Sequence, residues 1–316
     1  MNTSNETEQK NNSDDANKDA WKLAYTIQGS VIIILNSFAI ILILIRQKLR
    51  KKLSNKFLCS LLFVHLIFGI FDLIFGFTMM YNENEIVNVS NMKERIQNHA
   101  LDCITSIVIS LFLNLMLVTI DRLAAIKYPF KYIKVSTKHG ILVLVIIWLV
   151  SLSYIPISIA CEHPRVSADI VTFTLTIVSF FTLAISNGIV YNIVRKQIKE
   201  ISKTIIEVPN KTGVNLQKES LQQQKLKSFY ICLVMVLSFI IFWTPIIIVD
   251  FLKFYDQDVK LFGRIAVFIV FFNSIADPII YCMMNHELKS EIRKVLRIPH
   301  RKYSTPKTQS SEAHEK

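Results

Sequence analysis

The chain has 316 residues, 52% of them hydrophobic, and a positive mean hydropathy of +0.39. This describes a mostly membrane-embedded protein whose loops are too short to fold separately, so a single domain is expected. A net charge of +12 would suit a nucleic acid, but Lys and Arg concentrate at one set of helix ends, which excludes that partner in favour of a membrane topology signal.

A hydrocarbon core about 30 Å thick needs roughly 20 apolar helical residues per crossing. Seven stretches meet that need: Ala24 to Ile45, Phe57 to Met80, Leu101 to Ile126, Gly140 to Ala160, Ile170 to Val194, Phe229 to Leu252 and Leu261 to Met284. The expected fold is all-α, a seven-transmembrane helix bundle spanning residues 24–284. Before it lies a polar segment, residues 1–23, rich in Asn, Asp, Glu and Lys and read as a disordered extracellular tail. No apolar signal segment precedes Trp21, so the first span is expected to direct its own insertion.

Bases mark the cytoplasmic ends. Arg46, Lys48, Arg50, Lys51, Lys52 and Lys56 fill the first connection with no acid among them. Arg195, Lys196, Lys199, Lys203, Lys225 and Lys227 fill the third loop, and Arg293, Lys294, Arg297, Arg301 and Lys302 follow the last span. The N-terminus therefore faces out, at the plasma membrane, in a multi-pass arrangement. Asn2, Asn5, Asn11 and Asn88 head glycosylation triplets, all on the expected outer side, whereas Asn210 heads one on the inner side and is read as chance.

After the last span, residues 285–298 place Leu288, Ile292, Val295 and Leu296 at helical spacing among bases. Such an amphipathic eighth helix lies on the inner leaflet, in contact with membrane lipids. Residues 299–316 form a disordered cytoplasmic tail in which Ser304, Thr305, Thr308, Ser310 and Ser311 are candidate phosphorylation sites. Cys103 and Cys161 lie near the outer ends of the third and fourth spans and are a candidate disulfide, while Cys59, Cys232 and Cys282 sit within spans as packing residues. Repeats are lacking, which argues against a transporter built from duplicated halves.

Polar groups inside spans are costly and mark candidate sites. Asn36, His65, Asp72, Asn114, Asn187, Asn273 and Asp277 make up most of that set, although single Asn residues also serve simply as interhelical hydrogen-bond partners. Asp121 and Arg122 end the third span, where the guanidinium can snorkel while paired to the neighbouring acid. Phe239, Trp243 and Pro245 set two aromatic rings four residues apart beside a proline kink. Asp277, Pro278 and Tyr281 repeat the design in the last span. No metal-ligand cluster, phosphate-cradling Gly loop or placed nucleophile and base is present in the sequence, so neither an enzyme nor a cofactor is expected.

In order and spacing these features resemble the rhodopsin-like (class A) G-protein-coupled receptors over essentially the whole membrane region. Asn36 and Trp148 stand where that family has its first-helix Asn and fourth-helix Trp. Asp121-Arg122-Leu123 looks like the Asp-Arg-Tyr motif, Phe239 to Pro245 like Phe-x-x-Cys-Trp-x-Pro, and Asp277 to Tyr281 like Asn/Asp-Pro-x-x-Tyr. Tyr191 falls where the family has an inward Tyr in the fifth helix. The resemblance implies an extracellular ligand, a heterotrimeric G protein meeting Asp121, Arg122, Tyr191, Lys225, Lys227 and Tyr281, and a receptor kinase and arrestin at the tail. It further implies an activation switch at Phe239, Trp243, Pro245, Asp277, Pro278 and Tyr281.

Departures narrow the picture. No Cys stands between Cys59 and Cys103 to anchor a second extracellular loop, and the fifth span has no proline. With Asp277 before Pro278, these traits are similar to the melanocortin-like branch, which groups with lysophospholipid and cannabinoid receptors. His65 occupies the position where the family normally has a sodium-binding Asp. A His–Asp277 pair, within a central polar site that includes Asn36 and Asn273, is expected to replace the ion, because imidazole offers no anionic oxygen to a hard cation. The bland alternative is a satisfied core histidine. Lys225 and Lys227 stand at the base of the sixth span, where some relatives carry an acid that locks the helix-three Arg, so Arg122 is expected to be held by Asp121 alone.

For the ligand, Asp72 and Asp250 lie two turns outward of His65 and Trp243, and Asp102 stands near the rim. Together with Trp243 they make an acidic pocket suited to a cationic ligand or basic peptide segment. Ile104 replaces the ammonium-binding Asp of amine receptors, which argues against a simple biogenic amine, and the absence of Lys from Leu261 to Met284 argues against a retinal Schiff base. The competing class is a proton-coupled transporter or channel using His65, Asp72 and Asp277 as a relay.

Overall fold

The computed structural model describes residues 2–78, 90–132, 134–160, 170, 173–174, 176–182, 184–186, 188–189, 191–193, 195–196, 199, 233–234, 237–252, 259–284, 286–295 and 297. Ten helices are numbered in chain order: α1 (Asn2–Ile45), α2 (Gln47–Arg50), α3 (Leu53–Thr78), α4 (Ser90–Lys127), α5 (Pro129–Tyr132), α6 (Thr137–Ala160), α7 (Thr176–Ile193), α8 (Leu237–Leu252), α9 (Lys260–Met284) and α10 (His286–Val295). Among the described residues no strand occurs.

Among the described residues, six stretches are long and apolar enough to cross a bilayer: Asp19–Ile45, Leu53–Gly76, Asp102–Ala125, Thr137–Ala160, Thr176–Ile193 and Leu261–Cys282. The seventh apolar helix, α8, is shorter, since most of residues 229–236, expected to begin that crossing, lie outside the described set. The chain is thus an all-α bundle of seven apolar helices, α1, α3, α4, α6, α7, α8 and α9. Many apolar side chains on their outer faces are exposed, including Ile34, Ile45, Leu149 and Ile241, as expected where lipid rather than water is the solvent.

Two helices outrun their expected spans. Residues 2–23, expected to be disordered, continue α1 as helix. Neither Pro nor Gly stands before Gly29 to break a helix that the span has already nucleated. Likewise α4 begins at Ser90, well outside the bilayer-length segment.

The most extensive packing is α1 along α3, with α3 against α4, α4 against α6, and α9 returning to α1 and α3. Small residues explain the α1–α3 seam. A Cβ placed on Gly29 would lie 2.7 Å from the Leu73 amide nitrogen and 2.8 Å from the Gly69 carbonyl oxygen, so only glycine lets these backbones approach. The buried core runs through the bundle from Leu61, Val64 and Phe68 on α3 and Phe112 and Leu115 on α4 to Phe239 and Trp243 on α8 and Tyr281 on α9. At the inner end, Leu288 of α10 is fully buried in the same cluster.

Candidate functional site

Pro278 sits inside α9 and brings no amide hydrogen. The carbonyl four residues earlier, that of Ser274, therefore loses its helical donor. Asn36 of α1 fills the vacancy, its Nδ2 donating to Ser274 O at 3.0 Å and to Ile32 O at 2.8 Å. Two turns outward on α1, Gln28 Nε2 donates to Phe268 O at 3.0 Å, and a turn further out the Tyr25 hydroxyl donates to Arg264 O at 3.1 Å. Positions 25, 28 and 36 fall on one helical face, so α1 is fastened to the α9 backbone by a ladder of side-chain donors. Sequence reasoning missed Tyr25 and Gln28; their near-helical spacing with Asn36 was the available signal.

At the centre of the bundle, His65 Nε2 lies 3.0 Å from Asp277 Oδ2, and His65 Nδ1 lies 2.8 Å from Ser274 Oγ. Asn273 Nδ2 donates to the same Asp277 oxygen at 3.2 Å. His65 is fully buried, and Asp277 and Asn273 nearly so. Both imidazole nitrogens and one carboxylate oxygen are therefore occupied by protein, which is how a buried polar group avoids its desolvation cost. The central polar site of Asn36, His65, Asn273 and Asp277 is brought together, with Ser274 as an added member. Among the described residues, no three His, Cys, Asp or Glu side chains converge in a way that could hold a metal ion.

Just outward, Phe68, Leu111, Trp243, Phe271 and the Asn273–Ser274 pair line a crevice too tight to hold a water molecule. Two buried polar atoms without a hydrogen-bond partner belong to its walls, the donor Trp243 Nε1 and the acceptor Asn273 Oδ1. Trp243 stacks on Phe239 at 5.6 Å between ring centroids, and Phe112 of α4 closes on Trp243 at 4.7 Å and on Phe239 at 5.8 Å. These three rings sit beside Pro245.

The expected acidic pocket is rearranged. Asp72 is 0% exposed, and neither of its carboxylate oxygens makes a hydrogen bond. It shares the α3 face of Gly69 and Gly76, which packs onto α1, and so is drawn into that seam beside Tyr25 instead of an open cavity. Asp102 is also buried and turned toward α6, where Ser158 Oγ donates to it at 2.6 Å. Ile104 is 38% exposed, and Asp250 of α8 is partly buried. Cys103 carries a free thiol; its candidate partner, Cys161, lies outside the described residues.

At the inner mouth, Asp121 is buried and accepts a hydrogen bond from the Tyr132 hydroxyl of α5 at 2.6 Å. Among the described residues no ion pair joins Asp121 to Arg122, contrary to expectation, and Arg122 Nε is buried without a hydrogen-bond partner. The loop helix explains this: α5 folds back under α4 and offers Asp121 a donor that needs no rearrangement of the neighbouring backbone. Burial, and then the Asp121 carboxylate, push the Tyr132 phenol above its ordinary range. Tyr191, expected to point inward, is 49% exposed. Tyr281 is buried in the core cluster. Sequence reasoning also missed Phe130, which is 83% exposed on α5, an apolar ring displayed beside the inner mouth.

Several residues singled out in the sequence lie outside the described ones: Asn88, Asn187, Lys225, Lys227, Cys232 and the tail from 298 onward, together with the side chains of Asn2, Asn5 and Asn11.

Seven apolar helices, a polar centre between the second and seventh, and the adjacent Asp121 and Arg122 at the inner end of the third describe a membrane-spanning bundle. The chain matches the profile of the seven-transmembrane receptor (rhodopsin) family over residues 35–168 and 158–281, and it belongs to that family, a family of receptors and not enzymes. Over 295 residues, 88% of this chain and 79% of theirs, it is 23% identical to melatonin receptor type 1A of Mus musculus and to that of Phodopus sungorus.

Proposed function

We propose that this protein is a plasma-membrane receptor, N-terminus outside, that converts occupancy by an extracellular ligand into engagement of a heterotrimeric G protein through outward motion of α8. The observation that supports it best is the Phe112–Trp243–Phe239 stack at Pro245. These contacts hold α8 to α4 largely by aromatic packing, worth about 0.5–1.5 kcal/mol per ring pair beyond burial. A ligand with a few kcal/mol of differential affinity can shift an equilibrium of that size.

The ligand parts the closed Trp243 crevice and enters it with a polar group. Buried polar atoms left unsatisfied cost about 1–3 kcal/mol each, so a group that accepts from Trp243 Nε1 and donates to Asn273 Oδ1 gains both. Peptides, lipids and other small molecules fit this description. The relatives' names put melatonin in the first panel to be tried. At the other face, Arg122 and the exposed Phe130 meet the transducer. Ser304, Thr305, Thr308, Ser310 and Ser311 of the tail are the sites for a receptor kinase and arrestin.

The test is reconstitution with purified G protein. Arg122→Ala abolishes agonist-stimulated nucleotide exchange and leaves ligand binding in place. Full exchange by Arg122→Ala at equal receptor density sinks the reading.

A further inference from the structure

The stretch from the end of α1 into the first turn of α3, Arg46 to Lys56, carries six bases and no acid, yet it is not a loose charged loop. Its helix α2 is anchored by Leu49, which is buried in the same apolar cluster as Leu42 and Leu288. The two acids of α10 bracket α2, pairing with the bases on either side of it. Arg46 Nε is 3.0 Å from Glu291 Oε2, and Lys52 Nζ is 2.5 Å from Glu287 Oε1. Glu291 also takes Lys294 Nζ at 2.6 Å. That hydrogen bond, before the nearby Arg46 and Lys48 charges, holds the Glu291 carboxyl below its ordinary range.

Both α10 carboxylates are thus occupied in fixing the shape of a ledge. Lys48, Arg50 and Lys51 are exposed on α2 and its C-terminal edge, in no salt bridge among the described residues, and Lys289 stands exposed on α10. Lys48 acts on Glu291 electrostatically, so the α2 bases and α10 share one surface. The ledge follows directly on Ile45, which is exposed on the hydrocarbon-facing side, and so stands at headgroup depth. Like charges held this close repel. The dense anions available at that depth are lipid phosphates, each basic residue near them contributing about 1 kcal/mol.

We infer that the α2–α10 ledge is a binding site for a polyphosphorylated inositol lipid of the inner leaflet. Lys48, Arg50 and Lys51 grip the headgroup phosphates, while the Arg46–Glu291 and Lys52–Glu287 pairs hold the ledge in shape. An ordinary topology anchor is the competing account, and it differs in kind. A diffuse cluster attracts any anionic lipid in proportion to charge, whereas a braced ledge distinguishes clustered phosphates from the same charge spread over several headgroups. The inference needs only the membrane topology and is independent of which ligand the receptor binds.

Full-length receptor in phosphatidylcholine nanodiscs, doped with phosphatidylinositol bisphosphate or with phosphatidylserine at matched total charge, tests it by counting retained lipids in native mass spectrometry. The expected result is one saturable bisphosphate lipid, preferred over phosphatidylserine. Replacing Lys48, Arg50 and Lys51 together by Gln weakens its retention on the order of tenfold or more. Glu287→Gln with Glu291→Gln keeps every base but loses the preference. Thermal midpoints identify variants that remain folded. Equal retention of the two lipids by the native receptor, or undiminished selective retention by a folded triple variant, overturns the proposal.

Discussion

Asn36 donates to the carbonyl of Ser274 that Pro278 has deprived of its helical donor, at 3.0 Å and fully buried. Two residues far apart in the chain are thereby one device, a break in α9 and its repair from α1. Asn36→Ala leaves that carbonyl unsatisfied and is expected to destabilise the receptor by about 1–3 kcal/mol. Pro278→Ala supplies a backbone amide to the same carbonyl. The Asn36→Ala penalty should therefore shrink in the Pro278→Ala background, a coupling that a double-mutant cycle of thermal unfolding in detergent reads directly. Additive penalties would show that Asn36 serves some other contact.

The His65–Asp277 pair makes a prediction about ions. With its imidazole held 3.0 Å from the carboxylate, the centre already has a partner for Asp277, and sodium has no second anionic oxygen to join. Agonist affinity of the native receptor is expected to be independent of sodium at fixed ionic strength. His65→Asp installs a second carboxylate beside Asp277, and sodium should then lower agonist affinity several-fold. A sodium effect of equal size in both proteins would show that the ion acts elsewhere.

Tyr132 competes with Arg122 for Asp121. Because the phenol is pushed above its ordinary range, it remains a protonated donor, and the bond to Asp121 persists below that range, failing only in strongly alkaline solution. Tyr132→Phe releases the carboxylate, which then pairs with the adjacent Arg122 and restrains it. Ligand-independent nucleotide exchange should fall, with little change between pH 6 and 8. A rise in basal exchange in Tyr132→Phe would mean that the hydroxyl itself restrains the inner mouth.

The crossings were legible because bilayer thickness imposes a length on every span and leaves little freedom in reading it. Ionisable residues within spans were legible as candidates for a related reason, since a charge in hydrocarbon must find a partner. Which partner it finds depends on helix rotation and close approach. The glycines that draw α3 onto α1 carry Asp72 into that seam, and the rotation of α4 turns Asp102 onto Ser158. Tyr132 was invisible as a partner of Asp121 because loop geometry, with no periodicity to read, decides where its hydroxyl goes. Tyr25 and Gln28 look like ordinary span residues until α9 presents its carbonyls to them.

Two glycines separate backbone from side-chain crowding. A Cβ on Gly29 meets main-chain atoms of Leu73 and Gly69, which can retreat only if α1 and α3 part. At Gly140 the added carbon overlaps the Leu53 side chain alone, its nearest atom Cδ1, and a leucine tip can change rotamer. Overpacking of a close seam costs about 1–3 kcal/mol, so Gly29→Ala is expected near the upper end of that range. Gly140→Ala should cost less, because the helical preference of Ala over Gly, about 1 kcal/mol, offsets part of the clash. Thermal midpoints of the two variants in one detergent give the ordering. If Gly140→Ala proved the more damaging, the α1–α3 approach would be looser than the backbone contacts require, and the Asn36 bond to α9, which depends on where α1 lies, would have to be reconsidered with it.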